Sequence, residues 1–123
     1  ALLRENLLQG PAAAARFLPL HRDTATPEEA LDALERDLAA LPSPFDAVVL
    51  GMGNDGHTAS FFPGGDRLTE ALDPDSSLRV LPMRAPGAGE PRVTLTLPPL
   101  LAAWTANIIF LGLGTSLFLR ART

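Results

Sequence analysis

Residues 45–65 read FDAVVLGMGNDGHTASFFPGG. Four apolar residues in a row, Ala47 to Leu50, open the stretch, and two of them are β-branched. Such a run ahead of a glycine turn predicts a strand covered on both faces. Gly51, Gly53 and Gly56 follow and permit a sharp bend, since glycine takes positive φ without a steric penalty. Asp55 and His57 stand on that bend, and Pro63 cuts it off. In open α/β sheets, ligands gather just beyond the carboxyl ends of the strands, which is where residues 51–57 fall.

The residues of this bend support three readings. In the first it is only a tight turn, because Asn54-Asp55-Gly56 is turn chemistry. In the second it binds a dinucleotide: Gly51 to Gly56 fits G-x-G-x-x-G, and Asp73 lies at about the right distance. That fingerprint needs a helix opening at the third glycine to hold a pyrophosphate, whereas Pro63, Gly64 and Gly65 arrive within two turns. In the third it performs acid–base catalysis. A histidine titrates near neutral pH and takes a proton from water, and a neighbouring carboxylate fixes its tautomer. Backbone N–H groups of the glycines and of 58–60 then stand ready for an oxyanion or a phosphate. Ser60 shares the short turn with His57 and is poorly placed as a nucleophile, so direct attack by water is the better mechanism. One His and one Asp are too small a set for a metal.

Upstream, Leu2 to Leu8 carries a short helical stripe that Gly10-Pro11 ends. Arg16 to Leu20 reads as an edge strand or a loop, and His21 after it as a surface residue. Thr26-Pro27-Glu28-Glu29 is a helix start with a capping box. Leu31, Leu34, Leu38 and Leu41 then make one apolar face, and Pro42 and Pro44 stop the helix. Downstream, 66–77 reads as a short helix and a turn, and Leu78 to Met83 as a strand. Ala85 to Pro91 is a loop, and Arg92 to Leu97 a strand with threonines on one face. Pro98 opens a short helix to Ala103, and Asn107 to Leu111 is a second apolar strand. Strands alternating with helices predict an α/β fold, a parallel or mixed open sheet with flanking helices, Rossmann-like.

The bulk composition narrows the function. At 123 residues the chain is one domain or part of one. A formal charge of −4 argues against a nucleic-acid partner held by phosphates. Without cysteine there is neither a disulfide framework nor a thiolate metal site, which suits a cytoplasmic protein. Every basic residue is arginine, so lysine Schiff-base chemistry is excluded within this chain. Val93 to Leu119 is uncharged and long enough to span a bilayer. Pro98, Pro99, Asn107 and four threonines interrupt it, so the expectation is buried core and no membrane contact.

The stretch LGMGNDGHTASFFPG closely resembles the signature of the 6-phosphogluconolactonases, hydrolases of the oxidative pentose phosphate pathway within the glucosamine-6-phosphate isomerase/6-phosphogluconolactonase family. ALLRENLL at the start, PRVTLTLPPLLAA at 91–103 and the following IIFLGLG are similar to further parts of that family. The resemblance implies hydrolysis of 6-phospho-D-glucono-1,5-lactone. His57 would be the general base and Asp55 its aid in orientation. Gly53, Gly56, Thr58 and Arg92 would be substrate contacts, with no metal and no organic cofactor. The related glucosamine-6-phosphate deaminases share the loop through the histidine. They carry a relay glutamate five residues later, where this chain has Phe62, so an isomerase is the alternative, and a non-catalytic sugar-phosphate-binding module is another. The resemblance further implies that residues 1–123 are a single partial domain, incomplete at both ends. It would lack the family's N-terminal phosphate loop and final helices, and with them most of the phosphate site.

Overall fold

The computed structural model describes residues 2–101. The predicted strand at 107–111, the last two residues of the predicted 98–103 helix, and most of the apolar run to Leu119 lie outside the described residues. In chain order the elements are α1 (Leu2–Asn6), α2 (Leu31–Ala39), α3 (Leu68–Ala71), β1 (Val80–Met83), β2 (Arg92–Leu95) and α4 (Leu97–Leu101). Single 3-10 turns stand at Gly10–Ala12 and Glu28–Ala30. Arg16 to Leu20 is a loop, and it lays Leu18 and Leu20 against the core.

The α2 start differs from a simple capping box. A 3-10 turn after Pro27 precedes the helix, so Glu29 reaches back one residue further, accepting from the Ala25 N–H at 3.3 Å and from the Thr26 hydroxyl at 3.4 Å. The leucine spacing behaves as read. Leu34 and Leu38 are buried, and Leu31 and Leu41 pack beside them.

β1 and β2 pair antiparallel, with Val80 opposite Leu95 and Leu81 opposite Thr94. A parallel pair needs a crossover of a dozen or more residues, and 84–91 is too short to supply one. Alternation along the strands splits the core into two layers. Val80, Val93 and Leu95 face α2 with Ala30, Leu34 and Leu38. Leu81 and Met83 face the other way and meet Phe62, Ala71 and Ala88. Burying a leucine such as Leu34 contributes roughly 2 kcal/mol. Glu35 ties helix to sheet, its carboxylate accepting from the N–H groups of Arg79 at 2.5 Å and Val80 at 3.0 Å. The stretch beyond the glycine bend is held by a reciprocal pair: the Asp66 N–H donates to the Arg84 carbonyl and the Arg84 N–H to the Asp66 carboxylate, both at 2.8 Å.

Ala47 to Leu50 is not a strand among the described residues and is not buried. Val49 is 95% exposed and Leu50 47%. A doubly covered strand exists only where neighbours bond both its edges and helices cover both its faces. No such neighbour stands beside it among the described residues. What the described residues establish is a mixed α/β arrangement around a two-stranded antiparallel sheet.

Candidate active site

The glycine bend is a closed loop. Met52 and Thr58 form an antiparallel bridge, the Gly53 N–H donates to the His57 carbonyl at 2.8 Å, and the Gly56 N–H donates to the Gly53 carbonyl at 3.0 Å. The Thr58 hydroxyl closes the neck by donating to the Gly51 carbonyl at 2.9 Å. Gly56 sits at φ +83°, the left-handed region where glycine is favoured. These bonds correct one expectation. The Gly53 and Gly56 N–H groups are occupied within the loop, so neither stands free for an oxyanion.

Asp55 and His57 are brought together. The imidazole Nδ1 lies 2.5 Å from the Asp55 Oδ1, and the same oxygen accepts the His57 backbone N–H at 3.3 Å. An ionised carboxylate only accepts, so in the neutral imidazole Nδ1 carries the proton and Nε2 keeps its lone pair. The imidazole is half-buried, while Asp55 is open to water. The bond from His57 holds the Asp55 carboxyl below its ordinary range. A depressed folded pKa means that the pair's contribution is complete above the ordinary carboxylate value of about 3.9. It is lost as the pH falls through the lower folded value.

Gly53 is required for this pairing. A Cβ on it would fall 2.3 Å from Cε1 and 2.4 Å from Nδ1 of His57, and 2.8 Å from the Asp55 Oδ1. Beside the imidazole stands the buried Phe62 ring, with centroids 4.2 Å apart and planes tilted by 34°. The Arg92 guanidinium lies 5.8 Å from the Phe62 centroid and also donates to the Ala88 carbonyl at 3.4 Å. It makes no ion pair among the described residues. Of the residues singled out in the sequence, Gly53, Asp55, Gly56, His57 and Thr58 thus share one loop. Among the described residues, Arg92 is linked to it only through its contact with Phe62.

Two neighbours escaped the sequence reading. Phe62, which the sequence marks only as a departure from a relay glutamate, packs its ring against the His57 imidazole. Thr94 is buried on β2, and its hydroxyl accepts the Ser60 N–H at 3.3 Å. The signal for Thr94 was the pair of threonines on one strand face. Elsewhere, a cleft of about 610 Å³ runs between 20–27 and 90–93, with Arg22 and Arg92 on its walls. Among the described residues no three His, Cys, Asp or Glu side chains converge as a metal site, and no helix is long and apolar enough to cross a membrane.

Fold and loop together define an α/β protein that presents a carboxylate-paired histidine on a glycine bend. The chain belongs to the family described as glucosamine-6-phosphate isomerases/6-phosphogluconolactonase, whose model matches residues 1–118. Among its relatives, the 6-phosphogluconolactonase of Rhizobium meliloti is 56% identical over 77% of this chain and 41% of its own length. That of Mesorhizobium japonicum is 53% identical over 83% of this chain and 43% of its own. The crystal structure of a 6-phosphogluconolactonase from Shewanella baltica superposes with a TM-score of 0.75 at 40% identity, covering 82% of this chain and 42% of that one. The chain therefore spans about two fifths of the length of these relatives.

Proposed function

We propose that this chain carries the catalytic loop of a 6-phosphogluconolactonase and acts in hydrolysis of 6-phospho-D-glucono-1,5-lactone. The observation that carries the reading is the Asp55–His57 pair, which leaves Nε2 as the basic nitrogen. In the reaction, Nε2 takes a proton from water as the oxygen attacks the C1 carbonyl. The tetrahedral oxyanion then collapses, the C1–O5 bond breaks, and the imidazolium returns its proton to the departing O5. The products are an open-chain acid and a neutral imidazole, so the step consumes only water. Arg92 is the anion contact: its guanidinium and the imidazole both lie against the Phe62 ring, 5.8 Å and 4.2 Å from its centroid. Gly53 and Gly56 shape the loop and let the sugar approach. The Thr58 hydroxyl, whose proton goes to Gly51, offers the substrate its lone pairs.

Phe62 favours this chemistry over isomerisation, because the residue stacked on the imidazole has no carboxylate to relay a second proton. The finer architecture belongs to the same proposal. It is a parallel or mixed, Rossmann-like open sheet with flanking helices. The setting is a cytoplasmic sugar-phosphate pathway.

Because the chain spans two fifths of its relatives, the test uses a chimera in which residues 47–101 replace the matching segment of the Shewanella baltica lactonase. The expected result is hydrolysis of 6-phosphogluconolactone within about tenfold of the parent, one order of magnitude being roughly 1.4 kcal/mol of barrier, with no ammonia released from glucosamine 6-phosphate. A folded chimera that releases ammonia, or that leaves the lactone at its buffer rate, contradicts the proposal.

A further inference from the structure

We propose that Thr94 is a positioning residue for His57, a role that rests on the lactonase reading for its consequence in catalysis but not for its geometry. The backbone leaves His57 through Thr58, Ala59 and Ser60. Ala59 sits at φ 50°, a left-handed conformation that an L-residue with a Cβ disfavours. Strain of this kind persists only where its surroundings hold it. Here both flanks are pinned. Before Ala59, the Thr58 hydroxyl is tied to the Gly51 carbonyl, and the Thr58 carbonyl accepts the Phe61 N–H at 2.9 Å. After it, the Ser60 N–H is tied to Thr94 Oγ1 at 3.3 Å, a contact between residues 34 apart in the chain.

The Thr94 hydroxyl is itself fixed in direction. Its proton goes to the Leu95 carbonyl at 3.0 Å, which leaves its lone pairs for Ser60. Thr94 is 1% exposed and Ser60 8%, so no bulk water replaces the bond when it is lost. A buried N–H left without a partner is disfavoured, and the segment relaxes until it finds one. Ser60 lies between His57 and Phe62 in the chain, so relaxation shifts the imidazole relative to the ring stacked on it.

Thr96 supplies the control. It lies two residues on, one residue past the end of β2, and is as fully buried, but its hydroxyl donates to the Leu78 carbonyl at 2.6 Å and does not touch the loop. Both hydroxyls are buried, and only that of Thr94 bonds to the bend.

The test compares Thr94→Val, Thr94→Ser and Thr96→Val. In the full chain, NMR follows the His57–Phe62 ring contact and exchange of the Ser60 amide. In the chimera, kcat and KM for the lactone are measured. Thr94→Val is expected to weaken the ring contact, speed Ser60 exchange and lower kcat roughly tenfold to a hundredfold with KM little changed, the scale of a misplaced catalytic group. Thr94→Ser restores all three, and Thr96→Val leaves them near wild type. If Thr94→Val keeps the ring contact and the Ser60 protection of the wild type, the inference is overturned while the lactonase reading stands. If Thr96→Val moves His57 equally, the role is general packing and the inference is overturned as well. Should Thr94→Val fail to fold, the wild-type Ser60 amide decides: strong protection supports the bond, and exchange at an open-loop rate overturns it.

Discussion

His57→Gln in the chimera is expected to lower kcat for 6-phosphogluconolactone by roughly 10²- to 10⁴-fold, the range that a positioned general base contributes. Glutamine is close in length and retains a polar end that reaches Asp55. An amide does not accept a proton near neutral pH, so the change removes the base and little else. The imidazole is partly exposed and is not a member of either core layer, so folding should be little affected. Circular dichroism and a lactone assay corrected for spontaneous hydrolysis measure both effects. KM should stay within a few-fold, because the phosphate grip assigned to Arg92 is untouched. A variant that loses binding and retains kcat would make His57 a contact and not a base.

Gly53→Ala is expected to remove nearly as much activity without touching the base. The added methyl would fall within 2.4 Å of two imidazole atoms. Real Cβ atoms do not approach so closely, so the ring must swing away from Asp55, and an exposed loop allows it to do so. The expected loss is on the order of 10²-fold in kcat, comparable to displacing a catalytic group by about 1 Å. Thermal stability should change little, because the ring moves and the core does not. Gly56→Ala is the useful contrast. Its Cβ would meet nothing within 4 Å, but its φ of +83° disfavours a side chain. It should therefore destabilise the loop by about 1 kcal/mol through backbone strain alone. A Gly53→Ala variant with the Nδ1–Oδ1 contact intact would refute the steric argument.

The bend was legible because its information is local. Three glycines, an acid and a histidine within seven residues state both the turn and the chemistry, and the leucines of α2 state their buried face by spacing. The fate of Ala47 to Leu50 was not legible in the same way. Whether an apolar run is a buried strand depends on neighbours, and Val49 stands open where no neighbour is described. The antiparallel pairing of β1 and β2 was in principle readable from the eight-residue connection, but helix–strand alternation pointed to a parallel sheet. Least legible was the support beneath His57. The Ser60–Thr94 bond joins residues far apart in sequence, and the Phe62–Arg92 contact exists only once β2 is in place. The occupied N–H groups of Gly53 and Gly56 show the same limit. Glycine identity predicts a turn, but not which groups the turn leaves free.

In the proposed mechanism Asp55 holds the proton on His57 Nδ1 and so leaves Nε2 to act on water. Imidazole ¹⁵N chemical shifts of His57, recorded at a pH where the ring is neutral, test this most directly. The expected spectrum shows a protonated Nδ1 and an unprotonated Nε2, with the preference lost in Asp55→Asn. A neutral ring that carries its proton on Nε2 would contradict it.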